Sequence, residues 1–169
     1  KGRAQQIPKD AQQSFYEAQK AFDNKHYRQA IRIVDDYLKR NSAAKHPEAY
    51  QILGNAWHQE GNLDEADKAF QKGLELNPKS FELCSNLAAV SYELNDFQRA
   101  GDFFRKAYRL SKKPDGELLY RAAASYSKAG KKSEARKVLH ELADKKEMRQ
   151  SWWQLLIHTN IELADWNEA

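Results

Sequence analysis

The sequence predicts an all-α chain of stacked helix–turn–helix repeats, and three observations lead there. Residues 50–78, YQILGNAWHQEGNLDEADKAFQKGLELNP, read as two amphipathic helices joined at Glu60-Gly61-Asn62 and closed by Asn77-Pro78. Tyr50, Leu53, Gly54 and Trp57 share one side of the first helix, while Ala66 and Phe70 stand four apart on one face of the second. The alanine at 66 recurs as Ala30, Ala100, Ala135 and Ala169, at steps of 36, 34, 35 and 34 residues. Glycine and proline are few, at 7 and 4, and 31% of residues are charged, a balance that fits stacked small units with much surface better than a thick core.

Residues 1–10, KGRAQQIPKD, carry no periodicity and are expected to be a flexible lead-in, with Asp10 capping a helix from about Ala11. A single array is expected over 11–169, in units of about 11–46, 47–80, 81–115, 116–149 and 150–169, the last truncated. The turn before each recurring alanine is Lys25-His26-Tyr27, Gly61-Asn62-Leu63, Asn95-Asp96-Phe97, Gly130-Lys131-Lys132 and Ala164-Asp165-Trp166. Gly61 and Gly130 suit a positive φ at a helix end, and Asn95 tolerates it next best. Four residues after the alanine comes Val34, Phe70, Phe104 or Leu139. The small residue Gly54 has counterparts in Ala18, Ala88 and Ala123; a glycine inside a helix costs about 1 kcal/mol against alanine, so Gly54 implies a close approach of its paired helix.

In the fifth unit, SWWQLLIHTNIEL reads as a first helix and DWNEA as the start of a second. The chain is therefore expected to be a piece of a longer repeat protein. Its end should expose apolar surface, drawn from Trp152, Trp153, Leu156 and Trp166, and self-associate through it.

Composition narrows the chemistry. Cys84 is the single cysteine, which excludes an intrachain disulfide and a cysteine metal site; it reads as a small core residue. His26, His46, His58, His140 and His158 form no zinc-binding spacing, and no nucleophile elbow, phosphate loop or dinucleotide glycine pattern occurs. No cofactor, small-molecule substrate or enzymatic activity is expected. No apolar run approaches the ~20 residues of a membrane span, and the compartment stays open between cytoplasm and bacterial periplasm. From Arg105 to Arg149 fourteen Lys/Arg face six Asp/Glu, mostly on alternate helix faces that read as solvated.

The period and the residues Tyr50, Leu53, Gly54, Trp57, Ala66, Phe70 and Pro78 resemble the tetratricopeptide repeat signature, over roughly residues 11–169. The resemblance implies a right-handed α-α superhelix, a solenoid whose first helices line a concave groove. Carried over by repeat position, it implies groove candidates Gln12, Phe15, Gln19, Phe22 and Asp23 in unit one, and Glu48, Gln51, Asn55, His58 and Gln59 in unit two. It likewise implies Glu82, Ser85, Ala89, Tyr92 and Glu93 in unit three, Glu117, Tyr120, Ala124, Ser127 and Lys128 in unit four, and Ser151, Gln154, His158, Ile161 and Glu162 in unit five. Chaperone-binding members hold a C-terminal carboxylate in a clamp; Asn55, Asn86 and Arg121 match three of its places, but Gln51 and Glu117 stand where it has lysines. An anion there reverses the Coulomb attraction for a carboxylate, so that clamp is incomplete.

The implied function is a non-enzymatic scaffold that binds a peptide or protein segment in the groove through aromatic anchors and amide side chains. The alternative is an assembly subunit that joins a larger complex, such as a bacterial envelope assembly, through its convex face or array ends. Nucleic acid is not expected, because the groove positions hold more Glu than Lys.

Overall fold

The computed structural model describes residues 8–41, 46–144 and 149–167, with side chains up to Ile161 in the last segment. Residues 1–7 of the expected lead-in, Ala169 and the side chain of Trp166 lie outside the described residues. Among the described residues the regular elements are all α-helices: α1 Lys9–Asp23, α2 Tyr27–Arg40, α3 Pro47–Gln59, α4 Leu63–Leu76, α5 Phe81–Glu93, α6 Phe97–Leu110, α7 Gly116–Lys128, α8 Lys132–Ala143 and α9 Gln150–Asn167. They fall into two compact units, residues 1–78 and residues 79–169.

Local chemistry sets the helix starts. Asn62, Ser80, Asp96 and Asp115 each accept a hydrogen bond from a backbone N–H in the first turn that follows, which satisfies a donor with no partner inside the helix. The first helix departs from expectation. It begins at Lys9 with Pro8 in the capping place, and Asp10 lies within the first turn instead of capping it. The carbonyl of Pro8 accepts the N–H of Gln12 at 2.9 Å, and a carboxylate in the first turn still complements the helix dipole.

The turns between paired helices follow one pattern. Lys25, Gly61, Asn95 and Gly130 take positive φ, between 62° and 78°. Around Asn95, its own N–H donates to the carbonyl of Tyr92 and the next N–H, from Asp96, donates to Ser91. The same two bonds close the turns at Lys25, Gly61 and Gly130. This is the Schellman arrangement, which uses carbonyls left over at a helix end. Lys25 is the unexpected member, because a side chain in that conformation costs energy that glycine avoids.

In residues 1–78, alanines on facing helices let the backbones come close: Ala11 and Ala18 on α1, Ala30 on α2, and Ala49 and Ala56 on α3 are all fully buried. α1 packs on both α2 and α3. Gly54 has the reason its position implied. A Cβ there would lie 2.5 Å from the ring of Phe70 on α4, so the ring fills the space a methyl would need.

In residues 79–169 the core gathers Leu119, Ala122, Ala123, Val138, Leu139 and Leu142 with Trp152 and Leu156. α6 packs against both α5 and α7. Gly101 on α6 lets the ring of Tyr126 approach to 2.8 Å of where its Cβ would stand, and the Tyr126 hydroxyl donates to Asp102 at 2.6 Å.

α9 corrects one expectation and narrows another. It runs without a break from Gln150 through Asn167, so no turn forms at Ala164-Asp165-Trp166. Ala164 stands where Gly130 stood one repeat earlier, and alanine, the best helix former, gives the chain no cause to enter a positive φ. The end exposes apolar surface, as expected, but Trp152 and Leu156 take no part in it. They join Thr159 in a buried stripe at helical spacing, while Trp153, Ile157 and Ile161 are 46%, 56% and 54% exposed.

Candidate functional site

The first-helix residues of residues 79–169 build a crevice of about 410 Å³ between α5 and α7. Ala89, Tyr92 and Glu93 line it from α5, and Glu117, Tyr120, Arg121 and Ala124 from α7, with Phe104 of α6 beneath. Helical spacing brings them together. Ala89, Tyr92 and Glu93 fall within about one turn at steps of three and four, and Glu117, Tyr120, Arg121 and Ala124 follow at the same steps over about two turns. The alanines keep the floor low between the two half-buried tyrosines.

Each tyrosine is held by a neighbour outside the crevice lining. Tyr120 stacks on Trp152 with ring centroids 5.9 Å apart, and the Arg149 guanidinium lies 5.0 Å from the Trp152 ring on α9. Tyr92 packs edge-on against Phe97 at 5.2 Å, and the Lys128 ammonium sits 4.7 Å from the Tyr92 ring. Cations over aromatic faces are attracted by the ring quadrupole. Both tyrosines therefore stand braced, which lowers the entropy lost when a ligand orders them.

The charges at the rim are paired. Glu117 accepts from Arg121 at 3.2 Å and from Arg149 at 3.1 Å, so two guanidiniums share one carboxylate. Glu117 is thereby compensated, and the anion that breaks the carboxylate clamp in the sequence becomes the group that holds Arg121 at the crevice. The Ser125 hydroxyl donates to the Arg121 carbonyl at 2.7 Å, anchoring the same turn.

Of the groove candidates, the structure brings together Ala89, Tyr92, Glu93, Glu117, Tyr120 and Ala124, with Arg121 of the incomplete clamp beside them. Asn86 is half-buried on α5 and is not part of the crevice lining. His158 is exposed on α9. In residues 1–78 the candidates scatter. Phe15 is a correction: it is only 8% exposed, edge-on to Tyr37 at 5.1 Å and to His46 at 5.7 Å, and belongs to the core. Phe22 is half-buried against Tyr27 at 5.3 Å, and the exposed Gln19 donates to Asp23 at 2.8 Å. On α3, Gln51, Asn55 and His58 are half-buried and Gln59 is exposed.

Phe104, Trp152 and Arg149 contribute to the crevice without having been singled out for it. The period had already assigned Phe104 to the helix-pair core, and Trp152 and Arg149 act across a repeat boundary that a single-repeat template does not cover. Cys84 is fully buried, and burial pushes its thiol pKa up, which keeps it protonated and unreactive. Among the described residues no group of three His, Cys, Asp or Glu could hold a metal ion, and no helix is long and apolar enough to cross a membrane.

Tetratricopeptide repeat models match residues 47–80, 81–114 and 117–145. A BBSome complex member BBS4 homolog of Drosophila melanogaster is 31% identical over 113 residues, covering 63% of this chain and 23% of that protein. Anaphase-promoting complex subunit 3 of Schizosaccharomyces pombe is 29% identical over 87 residues, covering 52% of this chain and 12% of that protein. The chain thus spans less than a quarter of the length of either relative. Among solved structures, MamA from Desulfovibrio magneticus RS-1 aligns with TM-score 0.73 at 17% identity, over 94% of this chain and 88% of that one. YrrB, described as a TPR protein with an unusual peptide-binding site, aligns with TM-score 0.74 at 18% identity, over 89% and 76%. At these identities the structural likeness establishes the fold.

Proposed function

We propose, from the premise that this chain belongs to the tetratricopeptide repeat family, that it is a non-enzymatic interaction scaffold whose α5/α7 crevice takes a peptide segment of a partner protein. The observation that carries this is the braced pair Tyr92 and Tyr120 on either side of an alanine floor, with Arg121 fixed at the rim. An apolar side chain of the segment enters between the rings, excluding water. The Arg121 guanidinium meets a carbonyl or carboxylate beside it, and its charge is positioned before binding because Glu117 already holds it. Aromatic and arginine anchors in a desolvated pocket carry most of the energy of such contacts.

The test is pull-down and titration with Tyr92→Ala and Tyr120→Ala. Each should weaken partner binding by about tenfold or more while leaving the helical circular dichroism intact. Retention of every partner by both variants sinks the crevice reading.

A second reading has its own support. Both curated relatives are components of multi-subunit complexes, which favours an assembly subunit that joins a larger complex through another face. In that case partners stay bound to the Tyr92 and Tyr120 variants.

A further inference from the structure

Residues 1–78 carry a second crevice, also of about 410 Å³, on the opposite class of helices. It lies between α2 and α4, with α3 beneath. Leu38, Tyr50, Leu53, Trp57 and Ala69 give it an apolar floor. Trp57 and Tyr50 are half-buried there, so two large rings remain in part open to a ligand.

The charges around this floor are sorted along its length. α2 and α4 both run antiparallel to α3, so their residues advance in the same direction. Asp35 on α2 and Glu65 on α4 stand at one end. Lys39 follows one turn after Asp35, and Lys72 two turns after Glu65, placing them about 6 and about 10 Å further along at 1.5 Å per residue. Lys68, between them, is held by Glu65 at 2.6 Å. The closeness of the two acids shows in Asp35 itself: burial pushes its carboxyl pKa up, and Asp36 and Glu65 push the same way against the opposing pull of Lys39. The trough is thus acidic at one end, basic at the other and apolar between.

We infer that the α2/α4 crevice is a second docking site, for an amphipathic helix of a partner protein that carries carboxylates toward Lys39 and Lys72 and a cation toward Asp35 and Glu65. Charge complementarity chooses this occupant over others. A uniformly acidic segment would meet Asp35 and Glu65, and a uniformly basic one would meet Lys39 and Lys72; like charges brought together in a partly desolvated trough are penalised. The apolar stripe of the helix covers Trp57, as in helix-in-groove recognition. This site is independent of the α5/α7 crevice and shares no residue with it.

The test uses three stapled helical peptides of about 14 residues with one Leu/Ala stripe in common. One has glutamates in one half and lysines in the other, the second has only glutamates at its charged positions, and the third only lysines. Binding is followed through the Trp57 indole N–H in nuclear magnetic resonance spectra, assigned with Trp57→Phe. The split-charge peptide should move the Trp57 signal and bind about fivefold to tenfold tighter than either uniform peptide. Lys39→Glu combined with Lys72→Glu, both exposed positions, should transfer the preference to the all-lysine peptide, a gain that misfolding cannot mimic. Equal binding of the three peptides, an unmoved Trp57 signal, or no transfer of preference in the double variant would overturn the site. So would a Trp57 shift that follows protein concentration without peptide, which would make a second copy the occupant.

Discussion

The first-helix faces of the two units share a repeat register and differ in what they leave open. In residues 1–78, α1 packs directly on α3, and Phe15, the large side chain at a groove position, is drawn into the core between Tyr37 and His46. In residues 79–169 the same register opens the α5/α7 crevice, and Tyr92 and Tyr120 stay at its walls. Gly54 lets Phe70 fill the space of its missing Cβ. Ala88, one repeat later, carries that Cβ, and Phe104 lies beneath the crevice. Repeat position thus nominates surface residues, and the size of the packing neighbours decides which remain on the surface.

Four measurements sharpen or break this comparison. The largest effect belongs to Phe15→Ala, which should cost about 3–5 kcal/mol of stability by urea denaturation, where Tyr92→Ala and Tyr120→Ala lower stability far less and act on binding. If Phe15→Ala is as mild as the tyrosine variants, the division between a closed and an open face fails. Next comes Gly54→Ala, which places a methyl against the buried Phe70 ring and should destabilise by about 1–3 kcal/mol despite the better helix propensity of alanine. Ala88 already carries that methyl, so Ala88→Gly should give no matching gain.

A third measurement concerns the Tyr126–Asp102 bond that joins α7 to α6. Burial, then the hydrogen bond and charge of Asp102, against the opposing Arg105, push the Tyr126 hydroxyl up to about 12. Its folded value lies above the unfolded one, so its contribution is complete below about pH 10 and disappears as pH rises toward about 12. The stability difference between the wild type and Tyr126→Phe should therefore be constant up to about pH 9 and shrink by about pH 11.5. A difference that grows with pH would contradict the bond. The smallest effect is at Lys25, the strained member of the four turns. Lys25→Gly should stabilise by about 0.5–1 kcal/mol, whereas Asn95→Gly, which starts from a more tolerant residue, should gain less in the same thermal melt.

What could be read from the sequence was whatever a single repeat determines by itself. The positive-φ turns at Gly61, Asn95 and Gly130 follow from residue type, and the close approach at Gly54 follows from the cost of glycine inside a helix. Tyr92, Tyr120 and Arg121 converge because helical spacing and repeat register put them on facing first helices. What escaped depended on neighbours. Phe15 is buried because Tyr37 and His46 close over it from beyond its own helix. Trp152 is buried and Trp153 exposed because α9 rests on α7 and α8 along a single stripe, a choice between adjacent tryptophans that composition cannot make. Lys25 takes a positive φ because the Schellman bonds at that helix end outweigh its side-chain penalty.

Those turns bear on how the chain is made. Every one is sealed by bonds that reach back no more than five residues, and within each unit every helix packs on its neighbour along the chain. Contacts this local are closed at little entropic cost and favour rapid folding. A pair such as α3–α4 can form once its own residues have left the ribosome, at a synthesis rate of about 5–20 residues per second. Its aromatic and aliphatic faces are then covered in the order in which they emerge, which shortens the time that unpartnered helices are available to the aggregation routes of larger, non-local folds.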